Sequence, residues 1–360
     1  AALPPDGAGI PRRPLRGGGP ARCKGRGRAA RAALPARGRR RFLTALGALS
    51  GAALFGPWVR TGLSRRGTRV PVRLETSRAG LGTWIRIVAQ HPDGACAERA
   101  TARAFAAIAA VDAQMSIHRS DSELSRVNSM AGREPVAVSS ELRTVVRLAR
   151  EASLATNGVY DPSVLPLMRL YGFYHSGRTH LPTDREREAA LASLGARHIV
   201  IDDAAGTIGL AKAGAALDLG SIGKGFALDQ AVAALRAEGI TSGLVDIGRN
   251  VYALGSPSPD SPGWNIGVLH PETGDVTRVL TLNDMAVATS SNAEQSVLLD
   301  GQHVGHLLDA SSGLPAHARQ SATVTARTGI TSDTGSTLAF LLGRDGTASL
   351  QDITSVEFSA

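Results

Sequence analysis

A break near residue 70 constrains this chain more than any motif in it. Of its 40 Lys and Arg and 31 Asp and Glu, the first 69 residues hold 16 basic side chains and one acid, Asp6. That leaves 24 basic against 30 acidic residues for everything that follows. The formal net charge of +9 therefore belongs to the leading segment, and the part able to build a core is mildly acidic. A protein that reads nucleic-acid backbones carries its Lys and Arg on the folded surface, so no nucleic-acid partner is expected. Residues 1–38 are rich in Pro, Gly, Arg and Ala without hydrophobic periodicity, and read as a disordered basic extension.

Residues 39–69 read as an address. Arg39-Arg40-Arg41-Phe42-Leu43 precede an apolar run from Ala45 to Phe55, the pattern of a twin-arginine signal and linker. The run is about half the roughly 20 residues of a membrane-spanning helix. The expectation is export by the twin-arginine route to a periplasmic or extracytoplasmic location, with no stable membrane span in the mature protein. There are two cysteines, Cys23 and Cys96. With Cys23 in the leader, neither a disulfide framework nor a zinc site is expected.

From Val70 the patterning becomes regular, which places a single α+β domain at residues 70–357. Val70–Glu75 and Thr83–Ala89 read as strands. In the second, Ile85, Ile87 and Ala89 share one face and Trp84, Arg86 and Val88 the other. Helical spacing marks 95–114, 142–155, 186–194, 222–238 and 330–342. Strands are expected at 198–201, 207–210, 244–247, 251–254, 264–268, 276–280, 286–288 and 322–326, with a final helix at 347–351. Mixed sheets with helices packed on one face fit this series.

Five segments carry residues suited to chemistry. Asp218-Leu-Gly-Ser-Ile-Gly-Lys-Gly225 leads into a helix, where free N–H groups and the positive helix end suit phosphate; a tight structural turn fits as well. His306-Leu-Leu-Asp309-Ala-Ser-Ser-Gly313-Leu-Pro315 offers a histidine for proton transfer, or a structural one. Asp333 and Thr337 are four apart on one helical face and present hard oxygens of the kind magnesium takes, unless Ser332 or Asp333 merely caps the helix. The polar stretches Met115–Asn128 and Thr156–Pro166 could be surface connections.

Together, in this order, the segments resemble the ApbE family of FAD:protein FMN transferases. Residues 115–128 match its Met-Ser-x-Tyr…Ser-Glu-x-x-Arg-x-Asn, and 158–167 its Gly-x-Phe/Tyr-Asp-Pro-x-Val-x-Pro-Leu. Residues 218–225 match Asp-Leu-Gly-x-Ile-x-Lys-Gly, 286–290 Ala-Val-Ala-Thr-Ser, and 306–315 His-x-x-Asp-x-x-x-Gly-x-Pro, with Asp333–Thr337 the family's Asp-x-x-x-Thr. The resemblance implies an ApbE / T-fold-like domain that binds FAD as substrate and uses Mg²⁺. It implies metal ligands from Asp333, Thr337 and the carbonyl of Ser221. It implies flavin contacts from Leu81, His118, Val159, Tyr160, Asp161, Asp218, Lys224 and Leu308, and catalytic roles for His306 and Asp333. His118 stands where the family has a tyrosine, and Ala310-Ser311 where it has Pro-Arg or Pro-Lys.

The implied reaction attaches FMN from FAD to a Thr or Ser hydroxyl of a partner, releasing AMP. His306 or Asp333 would take the hydroxyl's proton. The implied acceptor is a subunit of a membrane-bound electron-transfer flavoprotein, and the leader also resembles NosX-type members of the family. The same residues leave open an FAD pyrophosphatase or an exported flavin-binding protein without catalysis.

Overall fold

A computed structural model describes residues 71–174, 177–316 and 319–359. The expectations for residues 1–69, the basic extension and the twin-arginine signal, lie outside them. The centre of the domain is a seven-stranded antiparallel sheet whose strands neighbour one another in chain order: Val72–Gly80, Thr83–His91, Ser242–Ile247, Asn250–Leu254, Met285–Ser291, Ser321–Ala326 and Ile353–Ser359. Everything else is inserted between these strands.

The alternation read in the second strand sets the two faces of the sheet. Ile85, Ile87 and Ala89 are buried in the large core under the helices, together with Val245, Ile247, Tyr252 and Leu254 from the neighbouring strands. Three helices supply that layer: Gly94–Met115, Gly223–Ala237 and Gly329–Leu342. On the opposite face Val88, Leu244, Val251, Ala253 and Val287 pack against Trp264 and Leu282. These last two belong to a hairpin, Trp264–Leu269 with Val276–Leu282, laid across the sheet. Arg86, expected on that outer face, joins Glu75 and Asp246 in an exposed ion-pair group.

Between the helices Gly94–Met115 and Gly223–Ala237 the chain adds a smaller sheet and helix, whose Leu142, Val145, Ile199 and Ile208 join the same large core. The helix Ser140–Ala155 runs beside a three-stranded sheet of Val136–Ala137, Thr207–Leu210 and Ile199–Asp202. A second apolar cluster, centred on Leu165, Leu167 and Tyr171, packs with Leu299 and Val304 from a later hairpin. The α+β expectation holds, and most expected elements form within a few residues of their expected bounds.

One expected element is overturned. Residues 347–351 are not a helix: a 3₁₀ turn at Arg344–Thr347 gives way to the last strand, Ile353–Ser359. Val356 on that strand packs with Phe340 and Val324, so the final segment completes the sheet instead of capping it. Cys96 is buried and unpaired, its thiol 3.1 Å from the Glu238 carbonyl.

Candidate active site

Two helix starts meet at the base of the site. The glycine segment is tied down from both sides: the Asn128 side chain donates to the Leu217 carbonyl at 2.9 Å and accepts from its N–H at 2.7 Å, and the Asp218 N–H donates to the Pro162 carbonyl at 2.8 Å. Asp218 Oδ1 accepts the Gly220 N–H at 2.8 Å, which closes the turn. The helix Gly223–Ala237 then begins at Ile222 without a side-chain cap. Its Gly225 N–H is instead satisfied by Asp333 Oδ2 of the other helix, at 2.8 Å.

That bond demands a very close crossing. A Cβ on Gly225 would run into the Gly329 carbonyl and come within 2.7 Å of Asp333 Cβ, and a Cβ on Gly329 would run into the Gly225 carbonyl. The helix Gly329–Leu342 is capped by Thr328, whose Oγ1 accepts from the Thr331 N–H at 3.3 Å. Asp229 reaches across to accept the Gly329 and Ile330 N–H groups at 2.6 and 2.9 Å. Burial pushes the Asp229 carboxyl up to about 6, against the pull of those two N–H groups. Neither Ser332 nor Asp333 caps its own helix; Asp333 instead satisfies the first turn of the other one.

Asp333 is 3% exposed. Its Oδ1 accepts from Asn250 Nδ2 at 2.7 Å, and Lys224 Nζ stands 3.5 Å away while also donating to the Gly220 carbonyl. Thr337, one turn on and buried, has its hydroxyl 3.3 Å from that of Ser290. Ser221 donates to the Tyr160 hydroxyl at 3.0 Å, and burial holds that phenol protonated well above its ordinary range.

The opposite wall is built from turns. His306 follows the hairpin Ser296–Leu299 with Gln302–Gly305. Its backbone N–H and its Nδ1 both face the Gln295 carbonyl, at 3.1 and 3.2 Å. A carbonyl only accepts, so Nδ1 carries a proton and Nε2 keeps its lone pair. Burial lowers the His306 pKa, the Gln295 bond opposes this, and the Lys224 charge adds to it. Asn292 holds this wall by donating to the Ala316 carbonyl at 2.6 Å and accepting from the Leu307 N–H at 3.1 Å. Asp309 turns away from His306: its Oδ1 accepts from the Ser311 N–H and hydroxyl at 2.8 and 2.6 Å.

Between the walls lies a cavity of about 340 Å³. The structure brings Tyr160, Asp161, Asp218, Ser221 and Lys224 into its lining, with His306, Leu308, Asp333 and Thr337. Three expected contacts stand back from it. Leu81 sits in the turn whose next residues, Gly82 and Thr83, do line it. Val159 uses its carbonyl to accept the Ala310 N–H at 2.9 Å. His118 is exposed and packs against Tyr174. The Asp161 carboxylate is committed to the fold, with Ser163 N–H and hydroxyl on one oxygen and Ser153 hydroxyl and Ala196 N–H on the other.

Among the described residues no group of three or more His, Cys, Asp or Glu could hold a metal. Of the carboxylates that line the cavity, Asp333 is the one on the same helix face as the Thr337 hydroxyl, which lies 3.3 Å from that of Ser290, with the Ser221 segment beside them. One carboxylate among hard neutral oxygens fits Mg²⁺, which keeps waters and completes its shell with substrate phosphates. It does not fit a closed zinc or calcium cage.

A family model described as "ApbE family" matches residues 81–358. The chain belongs to the ApbE family. It is 31% identical over 308 residues to a protein of Treponema pallidum named "FAD:protein FMN transferase", covering 80% of this chain and 84% of that protein. With a protein of the same name from Vibrio cholerae it shares 33% identity over 239 residues, 65% of this chain and 71% of the relative. The structure superposes on the ApbE protein of Thermotoga maritima with a TM-score of 0.70 at 29% identity, over 80% of this chain and 97% of that one. The "Flavin Transferase ApbE" of Vibrio cholerae gives 0.69 at 28% identity, over 81% and 98%.

This ApbE-family site also contains residues to which the sequence analysis assigned no role. Asn250 buttresses Asp333, and Tyr174 donates to Asp218 Oδ2 at 2.6 Å. Thr289 and Glu294 line the cavity, and burial raises the Glu294 carboxyl. Thr289 lies within the matched Ala286–Ser290 run, so the family pattern could have found it. Asn250 and Tyr174 become visible only when distant segments meet.

Proposed function

We propose that this protein is a magnesium-dependent FAD:protein FMN transferase. The observation that carries this reading is that His306, Lys224, Asp333 and Thr337 line one cavity beside a glycine-rich helix start. The Lys224 ammonium and the positive end of the helix that begins there suit the diphosphate of FAD. Asp333, Thr337 and the Ser221 carbonyl would hold Mg²⁺, which supplies neutralisation of the diphosphate charge when bound.

The acceptor's Thr or Ser hydroxyl oxygen bonds to the FMN phosphorus, the bond from that phosphorus to the AMP oxygen breaks, and AMP leaves. The hydroxyl proton goes to His306. Asp333 is a poorer base, because both its oxygens already accept N–H bonds and it is 3% exposed. His306 keeps Nε2 available and is held neutral by burial. The Gln295 carbonyl fixes the ring and its tautomer.

The proposal extends to the setting. The twin-arginine pattern of residues 39–55 supports export to an extracytoplasmic location, and the acceptor is a subunit of a membrane-bound electron-transfer flavoprotein. No helix among the described residues is long and apolar enough to cross a membrane.

The test is to incubate the protein with FAD, Mg²⁺ and an acceptor fragment, then read in-gel flavin fluorescence and intact mass. The expected product is an acceptor heavier by one FMN, absent with EDTA and with Asp333→Ala. AMP formed without labelled acceptor would instead make the protein a pyrophosphatase. Bound FAD left unchanged would reduce it to a flavin-binding protein.

A further inference from the structure

We propose that Tyr174 is the aromatic platform on which a planar ring of the dinucleotide substrate stacks. This rests on the reading of the cavity as an FAD site and assigns a recognition residue within it. Two phenol rings line the cavity among the described residues, Tyr160 and Tyr174. Tyr160 is 4% exposed, and its hydroxyl is engaged with Ser221. Tyr174 is only partly buried, so it retains ring surface for a ligand.

Tyr174 is also held in place from two directions. Its hydroxyl donates to Asp218 Oδ2 at 2.6 Å, and its ring meets His118 in a T-shaped contact with centroids 5.4 Å apart. Burial and the Asp218 charge keep the phenol protonated, so the donor is permanent. The other oxygen of Asp218 accepts from Gly220 at 2.8 Å. One carboxylate thus couples the ring rigidly to the loop suited to phosphates. A nucleotide whose phosphate sits on that loop brings its attached ring close to Tyr174, and a fixed aromatic face is what planar heterocycles stack on.

His118, standing where the family pattern has a tyrosine, is exposed and outside the cavity lining. It serves here as the brace behind Tyr174. Tyr174 is therefore a binding residue, and His118 a positioning residue acting through it.

The ring could be the isoalloxazine or the adenine of FAD, and the test separates them. The whole chain is compared with Tyr174→Leu, which keeps apolar volume, and with Tyr174→Phe and Tyr174→Trp, which keep a ring. Binding of FMN, AMP and FAD is measured without magnesium, together with quenching of flavin fluorescence and thermal unfolding. The Leu variant should bind FAD roughly ten- to a hundredfold more weakly, while Phe and Trp stay within about threefold of wild type.

Weaker FMN binding and lost quenching in the Leu variant assign the ring to isoalloxazine. Weaker AMP binding with FMN unchanged assigns it to adenine. If Leu binds all three ligands as wild type does, Tyr174 is not a platform. Should Leu fail to fold, Phe and Trp variants that both lose affinity for FAD although each keeps a ring overturn the assignment just as well. Wild-type protein that binds no FAD would instead remove the reading of the cavity itself.

Discussion

The two walls of the cavity are built on different principles. The Asp333 wall is a crossing of two long helices, packed so closely at Gly225 and Gly329 that neither position has room for a methyl group. Asp333 is fixed there by a backbone N–H, a buried amide and a nearby ammonium. The His306 wall is a chain of turns and short strands, held by single side chains such as Asn292 and by the Gln295 carbonyl. The first wall derives its geometry from the core, so it cannot shift without disturbing the fold. The second rests on local hydrogen bonds and on the separate apolar cluster of Leu299, Val304 and Leu308, so it can be misaligned while the main core stays intact.

Substitutions should separate the two. Gly225→Ala forces the helices apart and should show the largest effect: a loss of about 1–3 kcal/mol or more, with FMN transfer lost as well. Retained stability by denaturant unfolding would show that the crossing is looser than described. Asn250→Ala should come next, leaving a buried carboxylate oxygen without its amide donor at a cost of about 1–3 kcal/mol and raising the Mg²⁺ concentration that the proposed site needs to restore transfer after EDTA.

Asn292→Ala tests the other wall. We expect about 1 kcal/mol of stability to be lost, yet transfer to fall roughly ten- to a hundredfold, since small misplacements of a reacting group have large kinetic effects. Equal losses of stability and activity would erase the distinction between the walls. The smallest effect is the acid limb of the transfer rate. A base must be neutral to accept a proton, so activity is present above the His306 pKa and lost as pH falls through it. Burial lowers that pKa, so the limb should lie below the ordinary histidine value of 6.5. A limb above that value would mean that His306 is not the group titrating.

What could be read in the sequence followed the same division. The spacing of Asp333 and Thr337 on one helix face, and the helix start after Asp218, are local facts, and both held. The partners that fix Asp333 are not local: Asn250 is 83 residues away and Gly225 108. Tyr174 meets Asp218 across 44 residues with no spacing to announce it. The helices Glu123–Ser129 and Leu165–Leu170 and the two-residue strands around Asp309 were too short to show a period. In the last strand Phe358 remains 41% exposed, its ring covered by the Arg319 guanidinium 5.1 Å away. Alternation is blurred there, so the pattern does not announce the strand Ile353–Ser359.

That last strand has a consequence for the order in which the site can mature. Every residue assigned to the cavity precedes it in the chain, yet Val356 supplies part of the floor beneath Phe340, on the helix that carries Asp333. A nascent chain emerging from the ribosome would present all of the proposed chemistry before it could hold that helix down. Competence for transfer should therefore arrive late and abruptly, with the closing of the sheet edge at Ser321–Ala326.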